Sequence, residues 1–297
     1  MGLQTTAVVV TYNRCQMLEK CINSLLRQSV PCDILVVDNH STDRTREVTA
    51  SFGDPRITYF DTGKNLGGAG GFYTGVKIAA QKNYRFLWLM DDDTIPAENA
   101  LEKLLQSAEN QKSAWGWLAG KVLWKDDSIC LMNLQRPTPF TKISSWEKSP
   151  IPCQMASFVS LLLNTEAVKT CGLPVKDFFI WGDDWEYTRR ISRKYPCFTI
   201  PESVAIHQMA ENTPNNLANV KAERIDRFFY LYRNEWCTFR REFPLGWFYY
   251  SAKCTWNFWK ILLFAPSQKL RRCKILVTGM LKGLTFFPEI EFLPKDS

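Results

Sequence analysis

Histidine is scarce in this 297-residue chain, with only His40 and His207 present, and no two cysteines stand in a C-x-x-C spacing. These shortages leave little from which to build a structural zinc site. The ten scattered cysteines read as reduced, buried, small apolar residues rather than as a disulfide framework. No charged leader followed by a short apolar stretch opens the sequence. Met1 to Tyr12 runs straight into a strand pattern, so a cleaved secretion signal is not expected and a cytoplasmic location is. A continuous apolar run of about 20 residues, the length that spans a bilayer, is also missing. The most aromatic stretch, Phe243 to Ala265, is interrupted by Lys253, Asn257 and Lys260.

Hydrophobic residues make up 45% of the chain and charged residues 23%, which excludes disorder as a description of the whole. The length suffices for one large domain or two modest ones. The charge is unevenly placed. Lys221 to Ser297 carries 14 Lys/Arg against 7 Asp/Glu, and this excess equals the net charge of +7, so the remainder balances to zero. A neutral catalytic part over 1–215 and a basic, aromatic-rich helical part over 216–297 are therefore expected.

The first half alternates between two periodicities. Ala7 to Tyr12 is a β-branched apolar run typical of a strand buried on both faces, and Ile34 to Val37 repeats that character. Between them Met17, Leu18, Cys21, Ile22 and Leu25 recur at helical spacing behind Asn13 as a cap. Ser41 or Thr42 caps a short helix, Ile57 to Phe60 forms a third strand, and a glycine-rich loop leads into a helix over 72–81. Phe86 to Met90 is a fourth strand, and Thr94-Ile95-Pro96 starts a helix with Leu101, Leu104, Leu105 and Ala108 on one face. This alternation predicts an α/β fold with a mostly parallel central sheet and helices on both faces. The proline-broken stretch from Gly116 to Leu163, with a strand-like run over 157–163, is expected to complete the sheet and wall the acceptor side. A last strand is expected over 198–206.

Ligands of such sheets bind at the carboxyl ends of the strands, which directs attention to polar residues there. Asp91-Asp92-Asp93 directly follows the fourth strand. In extended chain Asp91 and Asp93 point the same way, and crowded carboxylates repel unless a hard divalent cation joins them. Mg²⁺ or Mn²⁺ there would also grip a diphosphate. A solvated acidic turn is the plainer alternative. Gly67-Gly68-Ala69-Gly70-Gly71 lets the backbone approach a phosphate or a sugar closely, yet it lacks the Walker ending, since Phe72 and Tyr73 follow. A second cluster, Trp181-Gly182-Asp183-Asp184-Trp185-Glu186-Tyr187, precedes Thr188-Arg189-Arg190-Ile191 and belongs at a helix N-terminus. It reads as a general base flanked by aromatics that stack on sugars. The alternative is a cap at Asp183 with a Glu186–Arg190 pair four residues apart.

The Val-Val-Thr-Tyr-Asn-Arg segment ending at Arg14, the Val36-Val37-Asp38-Asn39-x-Ser41-x-Asp43 strand end and Asp91-Asp92-Asp93 together resemble family 2 inverting glycosyltransferases of GT-A fold. The resemblance covers roughly residues 5 to 210. It implies that Thr11, Arg14, Asp38 and Asn65 lie near the nucleotide base and ribose, with Gly68, Gly70, Gly71 and Asp92 also on the nucleotide-sugar side. It implies Asp91 and Asp93 as metal–diphosphate ligands, with His207 completing the metal shell. Asp184 matches the family's catalytic base, with Asp183, Glu186, Trp181 and Trp185 on the acceptor side. The Asn65 to Phe72 segment and the Trp-Gly-Asp-Asp-x-Glu-Tyr motif look most like bacterial galactofuranosyltransferases using UDP-galactofuranose. Rhamnosyltransferases using dTDP-rhamnose share much of the pattern. The Gln-x-x-Arg-Trp motif of the family's processive synthases is missing, which implies addition of one or a few sugars.

The basic quarter suits an amphipathic helix lying in a bilayer interface, with Lys269, Arg271, Arg272 and Lys274 meeting anionic headgroups on the inner face of the cell membrane. This fits a glycan or lipid-linked acceptor in cell-surface polysaccharide synthesis. A helical subdomain packed on the core or on a second copy, hence a homo-oligomer, is the alternative. Nucleic acid is not expected, because the basic residues are interleaved with long apolar runs. Two rivals of other classes are a nucleotidyltransferase and a non-catalytic scaffold. The first would carry a basic, glycine-rich N-terminal signature, which Thr11-Tyr12-Asn13-Arg14 does not supply; the second has no need of two acidic clusters.

Overall fold

The computed structural model describes residues 4–111, 113–213 and 216–294. In chain order the elements are β1 (Thr5–Thr11), α1 (Cys15–Leu26), β2 (Asp33–Asp38), α2 (Thr45–Ser51), β3 (Ile57–Asp61), α3 (Gly67–Gln81), β4 (Phe86–Asp91), β5 (Thr94–Pro96) and α4 (Ala100–Glu109). There follow β6 (Trp117–Trp124), β7 (Ile151–Pro152), β8 (Leu161–Asn164), α5 (Thr165–Cys171), α6 (Asp183–Ser192) and β9 (Phe198–His207). Three helices close the chain, α7 (Arg227–Phe239), α8 (Leu245–Phe264) and α9 (Lys269–Thr285).

One sheet runs in the order β3-β2-β1-β4-β8-β6-β9-β5, with β7 also on β9. The β3-β2-β1-β4 half is parallel, as the strand–helix alternation predicts. Beyond β4 the sheet is mixed: β8 is antiparallel to both β4 and β6, whereas β6 and β9 are parallel. The alternation of side chains along a strand divides the core. Val8, Val10, Leu35 and Val37 face α3, while Ala7, Val9, Ile34 and Val36 face α1 and α4. Both faces of β1 and β2 are thus covered, which is why those strands read as unbroken apolar runs.

Several local expectations are corrected. Gly67 to Gly71 is not a loop but the first turn of α3. Gly67 has φ of +71°, and a Cβ there would stand 2.1 Å from the Phe179 carbonyl oxygen; a Cβ on Gly71 would stand 2.5 Å from Val10. These glycines let the helix lie close on its neighbours. Thr94-Ile95-Pro96 pairs antiparallel with β9 instead of starting a helix, and α4 begins at Ala100. Asn13 does not cap α1. It sits at φ +53° and its side chain accepts from the Thr42 amide, while Asp43, rather than Ser41 or Thr42, accepts from the Thr45 amide opening α2. The strand expected from Ser157 starts only at Leu161, after Ser160 at φ +56°.

The boundary expected at residue 215 lies outside the described residues. The helices beyond it pack onto the sheet half. Trp181 and Phe140 join the cluster built by Phe228, Tyr232, Trp236 and Tyr250, and Cys237 and Phe286 join one with Ala69 and Phe178. The tail returns to the same half, where the Leu173 amide donates to the Glu291 carbonyl at 2.7 Å and the Glu291 carboxylate pairs with Tyr73 and Lys176.

Candidate active site

β1, β2 and β4 end side by side, so Thr11, Asp38 and Asp91 emerge along one edge. The chain leaves β4 through Asp91-Asp92-Asp93 and at once pairs Thr94 with His207. The Gln208 amide donates to the Asp93 carbonyl at 2.9 Å. That short antiparallel pairing, not sequence proximity, brings the histidine to the acidic strand end. His207 Nε2 lies 2.9 Å from Asp93 Oδ1, and its Nδ1 lies 2.8 Å from Asn133 Oδ1. One ligand atom each of Asp91, Asp93 and His207 falls within 4.8 Å of the others.

The charges here are concentrated and largely withdrawn from water. Thr11 Oγ1 donates to Asp92 Oδ2 at 2.8 Å, and Arg14 Nη1 donates to Asp93 Oδ2 at 2.7 Å and to Asp92 Oδ1 at 3.3 Å. Desolvation, then the Asp93 charge, push Asp91 up to about 7. Desolvation, with a further push from Asp93, puts Asp92 at about 6 against the pull of Arg14. Asp93 is desolvated too, yet its contacts with His207 and Arg14 hold it below the ordinary carboxylate value. Against desolvation, the hydrogen bond to Asp93 raises His207 to about 10. Among the described residues no hydrogen-bond donor reaches the Asp91 carboxylate. A desolvated, unpartnered carboxylate beside a second carboxylate and an imidazole is a donor set that fits a hard divalent cation.

The second cluster opens α6 behind Gly182, which has φ of +85°. Asp184 Oδ1 accepts from the Trp185 amide at 2.7 Å. Burial, then the charges of Asp183 and, more weakly, Asp91, hold the Asp184 carboxyl well above its ordinary value, and burial raises Asp183 to about 6. Asp184 is thus electrostatically coupled to the acidic strand end. The Arg136 guanidinium lies 4.7 Å from the Trp185 ring centre and lowers Asp184 in return.

Other expected site residues are occupied differently. Glu186 is buried in ion pairs with Arg190, four residues on, at 3.0 Å and with Arg241. Trp181 packs edge-on against Phe228, 5.2 Å between ring centres, and so meets α7. Gly70 and Gly71 are buried against Leu66 and Val10, and so act in packing rather than toward a nucleotide sugar; Gly68 alone of the three has open space at its Cβ position. Asp38 ends β2 as expected, but its oxygens already accept from Ser41 and from the Tyr59 hydroxyl at 2.6 Å. Asn65 Oδ1 accepts from the Gly67 amide at 2.8 Å.

Three residues escaped the sequence reading. Asn133, from the proline-broken stretch, orients His207, and Arg136 stacks on Trp185. Asn234 of α7 donates to the carbonyls of Phe178, Ile180 and Trp181 at 3.0, 3.1 and 2.8 Å, and so holds the loop that delivers Asp183 and Asp184. A polar residue inside the aromatic run of α7 was the one available signal for it.

A helix-covered sheet with an acidic strand end, a histidine from a neighbouring strand and a carboxylate at a facing helix N-terminus defines the GT-A class of fold. The chain belongs to glycosyl transferase family 2, whose model matches residues 6–155. It is 29% identical to galactofuranosyltransferase GlfT1 of Mycobacterium tuberculosis strain H37Rv over 254 residues, 77% of this chain and 79% of that protein. The same figure holds against galactofuranosyltransferase GlfT1 of Mycolicibacterium smegmatis over 197 residues, 63% of this chain and just under two thirds of that protein, 65%. Among solved structures, the mannosyltransferase PcManGT from Pyrobaculum calidifontis, in complex with GDP-Man and Mn²⁺, superposes with a TM-score of 0.60 at 14% identity. That match covers 96% of this chain and 88% of that one, and the likeness is one of fold.

Proposed function

We propose that this protein is an inverting, metal-dependent glycosyltransferase that moves galactofuranose from UDP-galactofuranose onto a glycan or lipid-linked glycan in cell-surface polysaccharide synthesis. The observation that carries this reading is the convergence of Asp91, Asp93 and His207 at one strand end, with the Asp91 charge also acting on Asp184 at the start of α6. The donor sugar rests on the mycobacterial relatives named as galactofuranosyltransferases.

Asp91, Asp93 and His207 would hold the cation, Mn²⁺ or Mg²⁺, which would supply positive charge against a diphosphate leaving group. Arg14, whose side chain is 55% exposed, stands beside Asp92 and Asp93 on the nucleotide side. Thr11 keeps Asp92 in place, and Asn65 with the open backbone at Gly68 lines the donor side. Asp184 takes the proton of the acceptor hydroxyl, whose oxygen attacks the anomeric carbon from the face opposite the leaving group and inverts it. A carboxylate whose pKa is raised is a stronger base than an ordinary one, which suits that proton transfer. Trp185, stiffened by Arg136, offers its ring to the acceptor, and Asp183 stands beside it.

No helix among the described residues is long and apolar enough to cross a membrane. Exposed Trp256, Trp259, Leu263, Phe264 and Leu270, near Lys260 and Lys269, support a peripheral position on the inner face of the cell membrane.

Calorimetric titration with UDP, dTDP and GDP, each with Mn²⁺ and with chelator, tests the proposal. UDP is expected to bind only with metal, and Asp91→Ala with Asp93→Ala is expected to abolish that binding. Preference for dTDP would shift the donor to dTDP-rhamnose, and binding of none of the three would overturn the transferase reading.

A further inference from the structure

Away from the acidic edge, the far end of α6 faces the turn that precedes α8. Between them lies a cavity of about 370 Å³, lined by Arg189, Arg193, Arg241, Glu242, Phe243 and Leu245 among others. That volume lies within the ~300–1,000 Å³ of small-molecule sites. Arg189 pairs with Glu242 through both of its oxygens, Nε at 2.6 Å and Nη2 at 2.9 Å, and Arg193 adds a contact of 2.7 Å to the same carboxylate. Arg241 pairs with the buried Glu186, which also holds Arg190. Three guanidinium groups line the cavity against one lining carboxylate, Glu242, with Glu186 buried behind Arg241, so positive charge is in excess at this wall. Arg193 is 38% exposed and Arg241 33% exposed at their side chains, so both retain donors at the cavity.

The other wall is apolar and runs onto the surface. Phe243 is 71% exposed, Leu245 66% and Phe248 73%. Guanidinium forks match phosphate oxygens, and a phosphate alone has no use for an apolar rim of this extent. A phosphate on a hydrocarbon tail satisfies both walls at once.

We propose that this cavity is a binding site for the headgroup phosphate of an acidic lipid, with Arg193 and Arg241 on the phosphate and Phe243 and Leu245 along the start of its chain. The proposal rests on the membrane-surface reading above for its role, and the site lies apart from Asp91, Asp93 and His207. It gives the helical region a specific lipid contact in addition to a general attraction between basic residues and a bilayer.

The full chain, kept in EDTA so that phosphate does not meet a metal-loaded acidic site, is titrated calorimetrically with dihexanoyl phosphatidic acid, dihexanoyl phosphatidylcholine and inorganic phosphate. Phosphatidic acid is expected to bind roughly tenfold more tightly than either of the others, and Arg193→Gln to weaken it by about tenfold. Leu245→Ser, at an exposed position that tolerates the change, is expected to remove the advantage of the chain and leave phosphate binding as it was. Equal binding of the two lipids, equal binding of inorganic phosphate and phosphatidic acid, or an unchanged affinity in both variants would overturn the proposal. Titration with UDP and Mn²⁺ in a parallel sample separates the two readings. Intact nucleotide binding with no lipid binding sinks the lipid site alone, and the reverse sinks the transferase reading alone.

Discussion

The two acidic clusters look alike in sequence and differ in what the fold does with them. At the end of β4 the carboxylates meet a half-exposed arginine and a buried histidine reached through a three-residue strand. At the start of α6 the work is divided within a single turn. Asp184 is desolvated with no side-chain partner among the described residues, whereas Glu186, two residues on, is tied to Arg190 and Arg241. Crowding of acids therefore does not mark chemistry by itself. A carboxylate whose oxygens are spent on arginines supports the fold, and one held at high pKa with only a backbone amide as partner remains available to substrate.

That contrast can be broken most directly at its two extremes. Asp184→Asn is expected to lower kcat by between about 10² and 10⁴ while leaving metal-dependent UDP binding and the melting temperature near those of the unaltered protein. A variant that transfers sugar at the original rate would remove Asp184 from the role of base. Glu186→Gln is expected to act the other way. It leaves Arg190 and Arg241 without their carboxylate, so the loss falls on stability, about 3 kcal/mol in denaturant unfolding, and a chemical step intact in the folded fraction is expected. Should Glu186→Gln fold as well as the original and lose acceptor affinity, the division between the two residues would be reversed.

The smallest effect sharpens the comparison through pH. Asp91 at about 7 and Asp92 and Asp183 at about 6 lie above the unfolded value of about 3.9. Their protonated forms therefore favour the fold, and this contribution is complete below the unfolded value and lost as pH rises through 6 and 7. His207, raised to about 10, loses its contribution higher still, and Asp93, lowered, loses its own only on acidification. In EDTA the melting temperature is expected to fall by on the order of a few degrees from pH 5 to pH 8. Mn²⁺, which requires the deprotonated ligands, is expected to shrink or reverse that decline. A profile in EDTA that is flat or rises over this interval would contradict the electrostatics described for the strand end.

Much of this was legible in the residues, for reasons that differ element by element. β1 and β2 are buried on both faces, so their apolar runs announced a covered parallel sheet. Asp91 and Asp93 stood out because a strand that ends in three acids is costly without a purpose. His207 had no local signal, and only the family pattern singled it out, because its place depends on Thr94 pairing across to β9. The same pairing explains the misreading of Thr94-Ile95-Pro96 as a helix start, since a three-residue edge strand has too few residues to show a period. Gly67 to Gly71 read as a phosphate loop because glycine signals close approach without saying to what; here the approach is mostly to Val10, Leu66 and Phe179. Asn133 and Asn234 act through contacts between residues 53 or more positions apart, which no local window contains.

The grip of Asn234 on the carbonyl groups of Phe178, Ile180 and Trp181 ties α7 to the loop that precedes α6. A chain whose 178–181 loop is fastened by α7 cannot lose or swap that helix without freeing the turn that delivers Asp183 and Asp184. Any exchange of α7 would therefore have to bring a new fastener for that turn.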